Sequence, residues 1–403
     1  MSAIREARQA PRQALRKQQG HEGFAAFGRQ LFEHLPRADQ QRWGQVYLHG
    51  LLATPGKKSV RRMAEAVTSS ATASQSLQQF VNASPWEWDA TRRELVRWVE
   101  ERLPTHAWTL ASTVLPKRGD HSVGVHRRFV REQGRTVNCQ LGMAVFLSGE
   151  GEHMPVDWRL HLPEPWAGDE AVRRRARIPE ETRPQPLWAH ALDLVETLAA
   201  QPGLVRAPVV ADLTSVTDVR PLVERLHGRG HSFVLAVGGQ LPLAAEPRPG
   251  RPNREPAPPV SARQLLFQGG TRHPEAVGPA GRSRRLQVIS SLAEIPALRP
   301  DGVRFTATGR VFAEWDPARQ RLGQAWLTNL PERRTADLLA LAGLHRGTLA
   351  TVGDLGEHYG LLDFEGRSFP GWHRHMTLVS AAYAYGRLSA ARSATELTHG
   401  EAA

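Results

Sequence analysis

Asp212 is the carboxylate that the sequence places best for chemistry. It follows the apolar, β-branched run APVVA at 207–211, and a short run of that kind delivers the next side chain to the carboxyl edge of a buried parallel sheet. A carboxylate at such an edge can hold a hard divalent cation, which takes oxygen ligands. It can equally cap the helix expected over residues 218–228, a role that needs no metal. Asp120 and Asp157 are the nearest substitute ligands, but the first lies beyond a turn and the second in a separate block. His373 and His375 stand two apart in an expected helix and point to different faces, so one is expected to pack and the other to meet a phosphate. Cys139 is the single cysteine; it excludes an intramolecular disulfide, and its strand-like surroundings, VNCQLGMAVFL, suggest a buried, inert thiol.

The elements that must position these groups follow from length and patterning. At 403 residues the chain exceeds a single core, and two or three domains are expected. Residues 1–20 carry Arg5, Arg8, Arg12, Arg16 and Lys17 against Glu6 and read as a basic flexible arm. Over residues 21–105 apolar side chains recur at three and four, as in Leu95, Val96, Val99 and Leu103. That spacing predicts a helical domain with Arg92, Arg93, Arg97 and Arg102 outward. Residues 106–240 alternate strands and helices: VGVHRRFV pairs with TVNCQLGMAVFLS, and LWAHALDLVETLAA, APVVAD, VRPLVERLHGRG and HSFVLAVGG follow as helix, strand, helix, strand. The basic run AVRRRARIPEETRP before them reads as a loop.

Residues 241–330 open on seven prolines in LPLAAEPRPGRPNREPAPPV, which cannot form regular structure. Stretches with alternating strand character follow, beginning with RQLLFQG and RRLQVISSL. Residues 331–390 return to helix, although AGLHRGTLATVGDLGEHYG is rich in glycine for one, and the final apolar helix is expected to begin near His373. Residues 391–403 form a tail.

Charge and targeting signals limit the partners. Lys and Arg number 52 against 40 Asp and Glu, a net charge of +12, which points to a polyanionic partner. No run of 18 apolar residues and no charged-then-apolar leader is present, so no membrane partner and a cytoplasmic location are expected.

Seven ordered blocks carry a resemblance: PGKKSVRRMAEAV at 55–67, SLQQFVNASPWEWD at 76–89, LPKRGDHSVGV at 115–125, VNCQLGMAVFLS at 137–148, VDWRLHLPEPW at 156–166, VVADLT at 209–214 and FEGRSFPGWHRHMTLVSAAYA at 364–384. In type and order they resemble DDE-type insertion-sequence transposases of bacteria. The resemblance implies an α/β fold: an RNase H-like mixed-sheet core with an N-terminal helical domain and a β-rich insertion. It also implies that three carboxylates hold a pair of divalent metals, one for the attacking and one for the leaving oxygen of a phosphoryl transfer.

Two of the three positions carry no acid. The first falls on Ala111 and Ser112 in HAWTLASTVLPKRG; the third, counted back from FEGRS, falls on Leu349, with His345 and Gly356 where an arginine and a lysine would accompany it. Asp212 is the carboxylate retained. The resemblance implies double-stranded DNA as partner, a nucleoid-associated setting and, since relatives commonly work as dimers, an open question of a homodimer. The candidate DNA contacts are Lys57, Lys58, Arg61 and Arg62 at a helix start, Lys117 and Arg118 in the turn after the first strand, Arg173, Arg174 and Arg175, and Arg367, His373 and Arg374 near the final helix.

Three functions compete. The chain is read foremost as a domesticated, catalytically silent transposase that still binds DNA as a sequence-specific regulator or architectural protein, without a cofactor. The alternatives are an active Mg²⁺-dependent transposase or endonuclease with displaced ligands such as Asp120, Asp354 or Glu357, and a scaffold for a protein partner.

Overall fold

A computed structural model describes residues 22–245, 259–277, 284–298 and 304–400. The basic arm at 1–20, the prolines within 246–258 and the last three residues of the tail lie outside the described residues.

Five helices open the described chain: α1 (residues 22–32), α2 (Ala38–Ala53), α3 (Val60–Val67), α4 (Ala73–Asn82) and α5 (Trp88–Glu100). The three-and-four spacing of their apolar residues buries Phe27, Leu31, Leu48, Leu51, Leu77, Phe80, Leu95 and Val99, each contributing roughly 1.5–3 kcal/mol. Arg92 departs from expectation. It lies on the buried stripe of α5 rather than outward, because its guanidinium pairs with Asp157 and also donates to the Thr377 hydroxyl at 2.8 Å.

The core sheet follows from the β-branched runs. β1 (Ala107–Pro116), β2 (His126–Val130), β3 (Arg135–Ser148) and β4 (His153–Leu160) pair antiparallel, with β3 central. β5 (Val209–Ala211) lies parallel to β1, and β6 (Phe233–Val237) parallel to β5. The order β4-β3-β1-β5-β6 is the mixed sheet expected of an RNase H-like core. Alternate side chains of β4 serve opposite faces: Trp158 donates to Ser380 at 2.8 Å in the final helix α12 (Phe369–Gly400), while Arg159 reaches Asp193 at 2.5 Å in α8 (Leu187–Ala199). α9 (Arg220–Gly228) packs beside α8.

The insertion is continuous with this sheet. β7 (Pro242–Ala245), β8 (Val260–Ser261), β9 (Thr271–Val277), β10 (Arg284–Leu298), β11 (Arg304–Asp316) and β12 (Arg321–Thr328) join it through β12, which pairs antiparallel with β6. Twelve strands are thereby linked among the described residues. α11 (Thr335–His358) then crosses β1, β5 and β6.

Several local expectations are corrected. RQLLFQG is helix, α10 (Ala262–Gly269), started by Ser261, whose hydroxyl accepts from the Gln264 amide at 3.1 Å. The basic run begins as helix α7 (Glu170–Ala176), capped by Asp169 and preceded by α6 (Glu164–Gly168). The proline-rich stretch begins as strand β7. The glycine-rich segment is one uninterrupted helix, α11, and the final helix starts at Phe369 rather than near His373. Gly347 shows why α11 tolerates glycine: a Cβ there would collide with the His153 imidazole, so its absence lets the helix sit down on the sheet.

Candidate functional site

The register of the parallel strands sets Ala111 beside Asp212. Leu110 aligns with Ala211, so the next residue of each strand stands at the same edge, and Ala111 is buried. Asp212 turns back on its own loop: its Oδ1 accepts from the Thr214 amide at 3.1 Å and the Thr214 hydroxyl at 2.7 Å. It does not cap α9. That position belongs to Val219, and Asp218 just before it accepts from the Arg220 amide through Oδ1 at 3.0 Å.

α11 covers this edge with neutral groups. Burial pushes the His345 imidazole below its ordinary value, with the nearby negative charge of Asp212 opposing, and its Nδ1 is buried without a partner. Leu349, one turn on, is 47% exposed. Between them Thr348 joins a buried hydroxyl chain, 2.6 Å from Thr109, which is 2.7 Å from Ser148, itself 2.9 Å from His153 Nδ1. Such a network fixes the helix on β1 and β3.

The other candidate carboxylate ligands lie elsewhere. Asp120 is exposed beyond β1. Asp157 is buried between Arg92 and Arg159. Asp354 and Glu357 flank His358 at 3.9 and 3.8 Å, and Asp354 lies about 13 Å along the helix from His345 at 1.5 Å per residue.

A second feature lies beyond the end of β1, about 20 Å from Ala111 at strand spacing. Here the loop at 363–368, between α11 and α12, gathers basic segments from three other parts of the chain. Lys57 Nζ donates to Glu365 Oε1 at 2.8 Å, the Lys58 amide to Asp363 Oδ2 at 2.7 Å, and Lys117 Nζ to the Phe364 carbonyl at 2.7 Å. Arg177, left-handed at φ 55° where α7 ends, donates to Ser368 Oγ at 3.0 Å and to the Asn82 carbonyl. Lys57, Arg61, Arg62, Arg118, Arg174, Arg175 and Arg367 remain exposed around this loop and on α7. Burial pulls Lys117 down to about 8, with Asp363 and Glu365 opposing.

Not every expected contact is on this surface. Lys58 is buried, its ammonium turned to the Thr54 carbonyl. His373 is buried against Trp88 and Phe369, with ring centroids 4.8 and 4.4 Å away, and receives Arg92 Nη2 at 3.2 Å. Arg374 is buried and donates to the Trp86 carbonyl at 3.0 Å. Arg173 donates inward to the Pro179 carbonyl at 2.7 Å. His375 is buried as well, held between the Tyr47 hydroxyl and the Gly360 carbonyl, each at 2.9 Å; neither histidine meets solvent. Cys139 is buried as expected.

A family model described as DDE superfamily endonuclease matches residues 30–292. The chain belongs to that family. No curated protein matches it. Among solved structures it is similar to a piggyBac transposase in a synaptic complex with hairpin DNA, at 9% identity and a TM-score of 0.40, over 89% of this chain and 67% of that one.

A pair of divalent cations needs oxygen donors from several side chains, whereas Asp212 has a buried alanine on one side and a buried imidazole above. Among the described residues no three His, Cys, Asp or Glu side chains are grouped so as to hold a metal ion. The residues at this edge therefore do not fit the metal pair. Among the described residues no helix is long and apolar enough to cross a membrane.

Proposed function

We propose that this DDE superfamily chain binds double-stranded DNA without cutting it, as a sequence-specific regulator or an architectural protein. The observation that carries the reading is the convergence of exposed cations from α3, the turn after β1, α7 and the loop at 363–368. Segments more than 300 residues apart in the chain, such as Lys57 and Glu365, meet there to form one basic rim. Alanine beside Asp212, and leucine on α11 where the resemblance puts the third carboxylate, support the loss of cleavage. Fixed cations on one surface displace condensed counterions from phosphates, so binding is steeply salt-dependent and independent of divalent metal. With about 6 to 10 phosphate contacts, affinity falls ~10³-fold or more between 50 and 200 mM salt. Fluorescence anisotropy on duplex fragments with EDTA present tests this; undetectable binding at the lowest salt shifts the reading to a scaffold for a protein partner.

A further inference from the structure

Inside the basic rim lies a cleft of about 310 Å³ between α3, α4 and the loop at 363–366. We propose that it takes a single unstacked nucleobase, cytosine preferred, from DNA held on the rim; this rests on the DNA-binding reading above. The size is the first reason, since the cleft lies at the small end of the roughly 300–1,000 Å³ range of ligand sites, enough for a base and too small for a duplex.

The distribution of charge is the second reason. Two cations and two acids line the cleft, but Lys58 turns its ammonium to the Thr54 carbonyl and Arg61 pairs with Glu65, whereas Asp363 and Glu365 keep free oxygens. A phosphate entering would meet two carboxylates; a neutral base would not be repelled. Each of these acids is engaged through one oxygen only, Asp363 by the Lys58 amide and Glu365 by Lys57. The remaining acceptors suit an exocyclic amine, as a carboxylate accepts from cytosine N4, and offer nothing to a thymine carbonyl.

The walls are the third reason. Val81 and Phe364 give the cleft an apolar side, and Gln78 lines it as an amide that can both donate and accept. Phe364 is held in place by stacking on His375 at 5.3 Å, so that wall is preformed.

Extruding a paired base costs a few kcal/mol, and least when the base is already unpaired. The probes are therefore four short duplexes of one sequence: fully paired, with one bulged cytosine, with one bulged thymine, and with one bulged abasic site. The full chain is expected to bind the cytosine bulge about 10-fold or more tightly than the abasic bulge, the worth of one good base contact, and a thymine bulge is expected to gain little. Ser74→Leu/Gln78→Leu, which fills the cleft from half-buried and exposed positions, removes the cytosine preference while paired-duplex affinity and the melting temperature stay at parental values. Equal affinity for the cytosine and abasic bulges overturns the proposal while leaving DNA binding intact. No binding to any of the four overturns the DNA reading itself.

Discussion

The sheet edge at Asp212 and the loop at 363–368 treat charge in opposite ways. At the edge, Asp212 satisfies itself on Thr214, and its neighbours Ala111 and His345 are buried. At the loop, Lys57 and Arg118 stay in water although acids lie close by. A fold can thus close over the place where a metal-binding chemistry would sit and keep an electrostatic surface a few turns away, because the hydrophobic packing that makes the sheet depends on neither.

The contrast is sharpest between buried and exposed cations. Arg92 is buried with Asp157, so Arg92→Ala strands a buried carboxylate and is expected to cost about 3–5 kcal/mol. Chemical denaturation reads this directly; a change below about 1 kcal/mol would make Arg92 a surface group after all.

Buried histidines give the next effect. Burial holds His190 and His375 near 4, against about 6.5 for a free imidazole. As pH falls the unfolded chain takes up protons first, so the stability these groups contribute is present above about 6.5 and is lost as pH approaches 4. At pH 5 the loss is about 2 kcal/mol for each, and melting curves at pH 7 and 5 are expected to differ by several degrees. Replacing His190 with leucine flattens that difference; an unchanged pH response would show that the imidazole titrates in solvent.

Rim substitutions act on binding instead of folding. Lys57→Ala/Arg61→Ala/Arg62→Ala/Arg118→Ala leaves Lys58 in its buried place and is expected to weaken duplex binding about 10- to 100-fold at moderate salt. The salt slope drops by about one for each cation that no longer meets a phosphate, and the melting temperature barely moves, since exposed charges add little to folding. Equal affinity would locate the interface elsewhere, on Arg174 and Arg175 first.

Much of the fold is legible in the sequence because strands and helices are written in periodicity. The β-branched run before Asp212 and the paired runs of β2 and β3 appear where their patterns place them. α11 is not legible as a full helix, because the feature that makes Gly347 favourable is His153, distant in sequence. Arg92 carries a usable signal, standing three and four residues before Leu95 and Val96 on the buried stripe, but its partner Asp157 is 65 residues away. Lys58, His373 and Arg374 escape the sequence for the same reason: basic spacing shows that cations are near one another and cannot show which of them turns inward.

The smallest expected effect falls on the residue of greatest chemical interest. Asp212→Ala removes two local hydrogen bonds of a half-buried side chain and is expected to change stability by about 1 kcal/mol and duplex affinity by less than the rim substitutions. The decisive measurement is cleavage of supercoiled and linear DNA by the parent chain and by Asp212→Ala in Mg²⁺ or Mn²⁺, with binding followed in the same samples. The account predicts bound, uncut DNA for both proteins. Metal-dependent nicking or strand transfer by the parent that disappears with Asp212→Ala would contradict it.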